Sequence, residues 1–572
     1  SWIIFFDLMR VLFLLYHVSK TKQLSFSTIL GTFTHGFRMD ASVAAYLLIP
    51  VCLFVLLSLV FHFFRRLLFY KIYTFVILLL VALISLADLE VYNAWGFRID
   101  TTPLRFLGTP REAMASMGHL PIFWILLVFV ICYGLFYFCF KYILRRIFFQ
   151  QQNRYKLVTA LVLLLFTGGL MIPIRGGFQQ APLNQSSVYF STNNYANHAA
   201  INASWNFLHS MVSKNADGKN PYNYMSPQEA QLIVDSLYRI DSSGLQQSLN
   251  QQDSLGAYDS TAKPTLLARF DSTTNVLVII WESFTEKALS VQVEGKEVTP
   301  RFNQLKKEGV YFSNTYASGD RTNKGIPAIL SGYPAMPNTT IIHSPGKSMK
   351  LKVLTKLFRD KNYVTPFFYG GEPEFANIKS YLLHGGFDPI VGRNDFAAKD
   401  MNSKWGAHDG VVMNRVLNDL GAIRRPFFST WLTLSSHEPF ETPIPVVIKG
   451  DDITAKFLNS LNYTDGVIGE FIDKAKQSTW WKNTVIIIIG DHGHPLPSTG
   501  KRADDFRTPM LWLGGAVIDT GKVIDRTVSQ LDIAAMLSAQ LGWKNEYFPY
   551  SKNSLDPRVK PWAFFTFNNG FG

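Results

Sequence analysis

Cysteine is almost missing from this 572-residue chain: Cys52, Cys132 and Cys139 are all it has, and each falls in an apolar run. Everything after the last of them must fold without disulfides, even in a compartment that would permit them. Acidic residues are missing from two connectors, one carrying Arg65, Arg66 and Lys71, the other Lys141, Arg145, Arg146, Arg154 and Lys156. No internal repeat is visible.

What is present is sharply uneven. Residues 1 to 175 hold five apolar stretches, Trp2 to Val18, Ala44 to Phe64, Ile72 to Ala87, Leu120 to Phe140 and Leu157 to Ile174, each near the ~20 residues that a membrane-spanning helix needs. Buried helices of a soluble bundle would show a polar face, which the second and fourth stretches lack. The two acid-free basic connectors belong on the cytoplasmic side. The other two loops mix Lys20, Lys22, Arg38, Arg98, Arg105 and Arg111 with Asp40, Asp88, Glu90, Asp100 and Glu112, and belong outside. Five spans then deliver residues beyond 175 to the extracytoplasmic side. Much of the net charge of +13 sits in the cytoplasmic connectors, so anionic lipid headgroups rather than nucleic acid are its expected partners. Asp7 and Arg10, spaced i and i+3, are expected to form a structural ion pair. The chain opens inside an apolar stretch, and its true N-terminus is expected to lie upstream.

Three regions follow: a transmembrane domain at 1–175, an interfacial helix and polar linker at 176–274, and an extracytoplasmic domain at 275–572. Asn197 to Val212 carries Ile201, Trp205, Phe207, Leu208 and Met211 among polar residues, as an interfacial helix would. Ser242 to Ser260 is polar, has no apolar period and reads as linker. From Asn275, strands alternate with helices in the manner of an α/β fold with a mostly parallel sheet. Val276 to Ile280, Phe427 to Leu434, Val485 to Ile489 and Met510 to Leu513 are expected strands. Pro300 to Glu308, Lys352 to Arg359 and Lys456 to Ala475 are expected helices.

The chemistry collects at strand ends. The run from Val485 to Ile489 contains four consecutive isoleucines and stops at Gly490, Asp491, His492 and Gly493. Such a run is buried on both faces of a parallel sheet, and ligands bind at the carboxyl ends of those strands. Asn275 to Ile280 ends likewise in Trp281 and Glu282. Glu282, Asp491 and His492 together suit one divalent metal ion such as Mn2+ or Zn2+. Thr322 precedes a helical stretch, Gly325 to Leu330, where a hydroxyl can meet both a metal and free helix amides. A simple helix cap is the competing role for it.

The ordered set GDRTNKGIPAILSGYP (Gly319 to Pro334) after Trp281-Glu282-Ser283, then FYGG (Phe368 to Gly371), SSHEPF (Ser435 to Phe440) and GDHG (Gly490 to Gly493), resembles the lipoteichoic acid synthases and related phosphoglycerol transferases of the alkaline phosphatase and sulfatase superfamily. The resemblance implies a single metal, Mn2+ foremost with Mg2+ or Zn2+ as alternatives, bound by Glu282, Thr322, Asp491 and His492, with Thr322 as nucleophile. It also implies that His437 binds the substrate phosphate or protonates the leaving group. Arg321 and Lys324 flank the nucleophile, where they would either clamp phosphate oxygens or lie as solvated surface charge. The sulfatases' own Cys or Ser nucleophile pattern with Pro and Arg is absent at Thr322, which counts against sulfate ester hydrolysis. A Trp and an Arg that the Gram-positive synthases place after the nucleophile are not matched at Phe375, Ala376, Asn377 and Ile378, so the headgroup or acceptor is expected to differ. Tyr369, Glu372, Asn377, Trp405, His408 and Asp409 are pocket candidates, and His494 is a candidate for a second metal or the acceptor.

The implied activity is transfer of phosphoglycerol from phosphatidylglycerol, through a phosphothreonine, to an extracytoplasmic glycan or lipid, in a multi-pass protein of the bacterial cytoplasmic membrane. The alternatives are a phosphoethanolamine transferase, which usually has cysteines bridged in its outer domain, and a non-catalytic membrane-anchored lipid or glycan sensor.

Overall fold

The computed structural model describes residues 1–105, 122–147, 155–212, 222–239, 271, 273–543, 547–568 and 570–572. The chain forms two compact units, Ser1–Lys219 and Asn220–Gly572.

The N-terminal unit is helical: α1 (Trp2–Tyr16), α2 (Phe26–Ser58), α3 (Leu67–Trp95), α4 (Ile122–Ile147), α5 (Lys156–Gly169), α6 (Asn194–Ala200) and α7 (Ala203–Val212) are its longer elements. Among the described residues four helical segments, Phe26–Ser58, Leu67–Ala94, Leu126–Arg146 and Lys156–Arg175, are long and apolar enough to cross a bilayer. They make this a membrane-anchored protein. The fifth expected span is α1, whose 15 residues fall short of the ~20 that the hydrocarbon core requires.

The polar loop expected ahead of Ala44 is instead the first half of α2. Ser25 caps that helix, accepting from the Thr28 N–H at 3.2 Å, and a buried ion pair lets the polar residues continue inside it. Asp40 is 0% exposed and lies 2.7 Å from Arg10. Arg10 also meets Asp7 at 3.2 Å, so the expected Asp7–Arg10 pair exists as the outer half of a three-residue cluster. Gly36 makes room for it, since a Cβ there would strike the Arg10 guanidinium and the Ala200 carbonyl.

Asn197 to Val212, expected as one helix, holds two, α6 and α7, with a break at Ile201 and Asn202. Two arginines receive the carbonyls at the end of α6. Arg10 donates to Ala199 and Ala200 at 3.1 and 3.3 Å, and Arg98 donates to His198 at 2.8 Å. Arg98 is itself paired with buried Asp88 at 2.8 Å. Ser242 to Ser260, expected as linker, lies outside the described residues.

Removing one member of a buried ion pair leaves the other charge uncompensated, at a cost of about 3–5 kcal/mol. Arg10→Ala is therefore expected to lower the unfolding temperature of the detergent-solubilised protein markedly, whereas exposed Arg146→Ala leaves it unchanged. Equal melting of the two variants would mean that the Arg10–Asp40 pair does not support the fold.

In the C-terminal unit an eight-stranded sheet contains β1 (Asn275–Trp281), β2 (Val310–Phe312), β3 (Phe367–Tyr369), β4 (Ile390–Val391), β5 (Phe428–Leu432), β6 (Thr484–Gly490), β7 (Met510–Leu513) and β8 (Val523–Ile524), in the order β8-β2-β7-β6-β1-β5-β3-β4. β7 is antiparallel to both of its neighbours, and the remaining pairings are parallel. The central strands β1 and β6 are buried throughout. Alternation along them feeds two cores. Val276, Val278, Ile280, Val485, Ile487 and Ile489 enter one, while Leu277, Ile279, Trp281, Ile486 and Ile488 enter the other. Residues of α8 (Thr322–Ser331) and α11 (Asp532–Gln540) join the first core, and those of α9 (Asp409–Ala422) and α10 (Ile453–Ala475) the second. The in-register pairing of Trp281 with Gly490 brings the two strand ends, and the polar residues just after them, side by side.

Candidate active site

Glu282 follows β1, and Asp491 and His492 follow β6. All three are buried and offer ligand atoms within 4.8 Å of one another, and they are the cluster of this kind among the described residues. Each is held by its backbone surroundings. The Glu282 N–H donates to Thr433 Oγ1 at 2.9 Å, and Asp491 Oδ1 accepts from the N–H groups of Ser283 at 2.7 Å and His492 at 2.8 Å. Ser283 adopts φ 58°, a left-handed conformation unusual outside glycine, which aims its N–H at Asp491. Gln530 fastens the other strand end, donating to the carbonyls of Gly490 and Asp491 at 2.6 and 2.8 Å.

His492 Nδ1 donates to the Gly493 carbonyl at 2.7 Å, which fixes the tautomer and turns Nε2 toward the carboxylates. Nε2 lies 3.4 Å from Asp491 Oδ2 and 3.6 Å from Glu282 Oε1. Asp491 Oδ2 is buried without a hydrogen-bond partner. Two buried carboxylates, an imidazole lone pair and an orphaned carboxylate oxygen are a donor set that fits a divalent cation.

The charges are tightly coupled. Burial, then repulsion from Glu282, pushes Asp491 up to about 7, tempered by His492 and the Thr322 hydroxyl. Burial opposes the His492 cation, but attraction to Asp491 and Glu282 prevails and raises it to about 9. Burial also opposes the Glu282 anion, yet hydrogen bonding and attraction to His492 hold it down at about 2.

Thr322 is the first residue of α8, one position inside Arg321, which occupies the cap. The simple capping role is therefore not its place. Its Oγ1 donates to Glu282 Oε2 at 3.2 Å. The helix end beside it presents unsatisfied N–H groups and the positive end of the dipole, a setting suited to a phosphate. α8 approaches the carboxylate–histidine cluster closely through Gly325, where a Cβ would run into the Asp491 carbonyl. Gly325→Ala is expected to destabilise the unit by about 1–3 kcal/mol through overpacking. It should also slow turnover about 100-fold by displacing Thr322, with little change in KM. Wild-type turnover in that variant would show that the helix position is not critical.

The remaining expected site residues divide. His437 is partly exposed, with Nδ1 donating to the Glu438 carbonyl at 2.9 Å. Trp405 packs edge-on to it at 4.7 Å and donates Nε1 to the Glu438 carbonyl at 2.7 Å. Phe375 lies 6.1 Å beyond Trp405, and Asn377, with φ 64°, starts the next helix. Tyr369 ends β3, and burial together with the charges of Glu282 and Asp491 raises its hydroxyl far above the ordinary value. Glu372 is paired with Arg393 at 3.3 Å. Arg321 is exposed beside Thr322.

Lys324 is neither free to clamp a phosphate nor solvated. It is 6% exposed and held by Asp320 at 2.9 Å and the Pro337 carbonyl at 3.0 Å. His494 stacks on Phe457 at 3.9 Å, and its Nδ1 accepts from the Leu496 N–H at 3.1 Å. Burial, then the charge on His492, holds it neutral at about 4, and no second ligand cluster stands beside it among the described residues. His408 and Asp409 support the SSHEPF loop from below. Asp409 accepts from the N–H groups of Leu434 and Ser435 at 2.7 and 3.0 Å, and His408 meets Ser435 Oγ at 3.1 Å. Thr433, Ser283 and Gln530 were not expected, because nothing in the sequence marks them apart from ordinary turn and helix-start residues.

A sheet that brings a buried carboxylate–histidine cluster and a hydroxyl-bearing helix start to the ends of β1 and β6 defines a class. Residues 274–543 match the Sulfatase family model, and the C-terminal unit is a sulfatase-like domain of the alkaline phosphatase superfamily. Among curated proteins the chain is similar to lipoteichoic acid synthase 2 of Bacillus subtilis (strain 168), 25% identical over 229 residues, 38% of this chain and 35% of that protein. It is similar also to phosphoglycerol transferase I of Xanthomonas campestris pv. campestris (strain B100), 27% identical over 283 residues, 46% of this chain and 40% of that protein. The match thus spans well under half the length of either relative. Among solved structures, a lipoteichoic acid synthase from Listeria monocytogenes is 21% identical with a TM-score of 0.48, covering 54% of this chain and 81% of that one.

Proposed function

We propose that this protein is a membrane-anchored, metal-dependent transferase that moves phosphoglycerol from phosphatidylglycerol to an extracytoplasmic glycan or lipid acceptor. The observation that carries this reading is the Thr322 hydroxyl at a helix start, 3.2 Å from a carboxylate of the buried Glu282–Asp491–His492 cluster. The relatives' names supply the phosphoglycerol group, and the basic, acid-free connectors supply the orientation.

Glu282, Asp491, His492 and Thr322 would hold the cation, Mn2+ in first place and Mg2+ or Zn2+ as alternatives. When bound it supplies Lewis-acid charge that acidifies the Thr322 hydroxyl and neutralises a phosphodiester. Glu282 orients the hydroxyl. With its proton released to solvent, the Thr322 oxygen forms a bond to phosphorus as the bond to diacylglycerol breaks, and His437 gives a proton to the departing alkoxide. A phosphothreonine diester remains. An acceptor hydroxyl then attacks the same phosphorus, passing its proton to His437 as Thr322 departs and takes a proton back from solvent. Helix N–H groups and Arg321 line the approach of the phosphate oxygens. Trp405 and Asn377 border the pocket beyond His437.

The test is incubation of the full-length protein in liposomes with phosphatidylglycerol labelled in its headgroup. Labelled glycerophosphate on an acceptor, with release of diacylglycerol, is the expected result. Transfer of ethanolamine phosphate in its place, from labelled phosphatidylethanolamine, would overturn the choice of donor. Binding without turnover of either lipid would make the protein a sensor.

A further inference from the structure

We propose that the groove between α3 and α4 is a binding site for one acyl chain of an anionic phospholipid, with the lipid phosphate held by Lys71. This site is independent of the catalytic reading, for it lies in the N-terminal unit on helices that the mechanism does not use.

The groove has a volume of about 390 Å³, and its lining is apolar except for Lys71 and the hydroxyls of Tyr133 and Tyr137. Ile72, Val76 and Leu79 form its α3 wall, and Tyr133 and Tyr137, one turn apart, form its α4 wall. From Lys71 to Leu79 it runs ~12 Å at 1.5 Å per residue, most of the ~15 Å depth of one leaflet's hydrocarbon. An extended acyl chain fits that shape, and a headgroup would sit at the Lys71 end.

Charge selects the headgroup. Lys71 lies in the first two turns of α3, whose N-terminus carries the positive end of a 29-residue helix. Arg65, Arg66, Arg145 and Arg146 gather at the ends of the same two helices, and Lys141 covers the Tyr137 ring at 5.5 Å. Among the described residues no carboxylate pairs with them. The sequence contains no Asp or Glu between Asp40 and Asp88, nor between Glu112 and Asp217. Among the described residues Lys71 has no ion-pair partner. A lipid phosphate is the anion that a bilayer brings to this depth. A zwitterionic lipid offers the same phosphate with a cation attached, which the basic rim disfavours.

Native mass spectrometry of the full chain in detergent, titrated with dioleoyl phosphatidic acid or dioleoyl phosphatidylcholine, tests the site. Phosphatidic acid lacks the glycerol headgroup of the proposed donor, so its retention does not report on the catalytic domain. One tightly held phosphatidic acid is expected, at about tenfold lower lipid than phosphatidylcholine requires. Lys71→Gln should bring the two lipids to the same level. Val76→Trp, which fills the groove, should reduce retention of both several-fold without lowering the unfolding temperature. Equal retention of the two lipids by the wild type, or retention of phosphatidic acid unaltered by either substitution, would overturn the proposal. So would a dimer that Val76→Trp dissociates, since the groove would then hold a second copy of the chain.

Discussion

Replacing Thr322 by alanine is expected to end phospholipid turnover while leaving the fold and most of the metal affinity in place. The lost oxygen is the atom that would form the covalent bond to phosphorus, so the rate should fall on the order of 10⁴-fold or more. The fold should tolerate the change, because Arg321 and not Thr322 occupies the cap of α8 and alanine is favourable in a helix. Glu282, Asp491 and His492 still offer three ligands. Thr322→Ser keeps a hydroxyl at the same position and should retain a measurable fraction of the activity. The measurement is release of diacylglycerol from phosphatidylglycerol liposomes, with intact-protein mass spectrometry beside it. The wild type should acquire a glycerophosphate adduct on Thr322, and the alanine variant none. Turnover at the wild-type rate in Thr322→Ala would exclude the covalent mechanism, whereas an ethanolamine phosphate adduct on the wild type would keep the mechanism and change the donor.

That Glu282, Asp491 and His492 would meet was legible from the strands that precede them. A strand with no polar residue from Val485 to Ile489 must be buried on both faces, and the first polar residues after it must emerge at a sheet end. Glu282 stands in the same relation to β1, and the two strands are adjacent. What the sequence could not show were the partners of charges that meet across loops. Lys324 beside a nucleophile looks like a phosphate ligand until Asp320 and the Pro337 carbonyl are seen to hold it. His494, two residues past His492, looks like a further ligand until its ring is found stacked on Phe457 from α10. Asp409 at the start of α9 looked like a pocket residue, but it fixes the backbone on which His437 rides.

The membrane unit shows the same limit. Hydropathy placed the second span from Ala44 because Arg38 and Asp40 looked like loop residues. In the structure Asp40 is neutralised by Arg10 and receives a hydrogen bond from Asn202 at 2.8 Å, and Arg38 donates to the Gly176 carbonyl at 3.0 and 3.2 Å. A pattern of hydropathy counts each charge as if it faced water. Charges whose partners lie 30 or 162 residues away along the chain escape it.

Asp491→Asn is expected to lower divalent-metal affinity at least about 100-fold, more than the usual loss from a supporting residue outside the ligand set. Asparagine preserves the Oδ1 acceptor that receives the Ser283 and His492 N–H groups, so the strand end stays folded. It replaces Oδ2, which has no hydrogen-bond partner, by an amide nitrogen that cannot ligate a cation. Metal content of the purified full-length protein, with the unfolding temperature as control, measures the effect. Unchanged occupancy would remove Asp491 from the ligand set. The wild-type affinity should also depend on pH, because His492 and Asp491 hold protons that a cation must displace. With His492 near 9 and Asp491 near 7 in the metal-free site, binding between those values releases one proton, and the affinity should rise about tenfold per pH unit. Below the lower value two protons are released and the slope should approach twice that, while above the upper value it should level off. Titration calorimetry in buffers of different ionisation enthalpy counts the protons directly. In Asp491→Asn the two-proton slope should disappear and a single His492 limb should remain, moved to lower pH because the Asp491 charge no longer raises that histidine. A wild-type affinity flat from pH 6 to 9 would mean that the cation binds elsewhere.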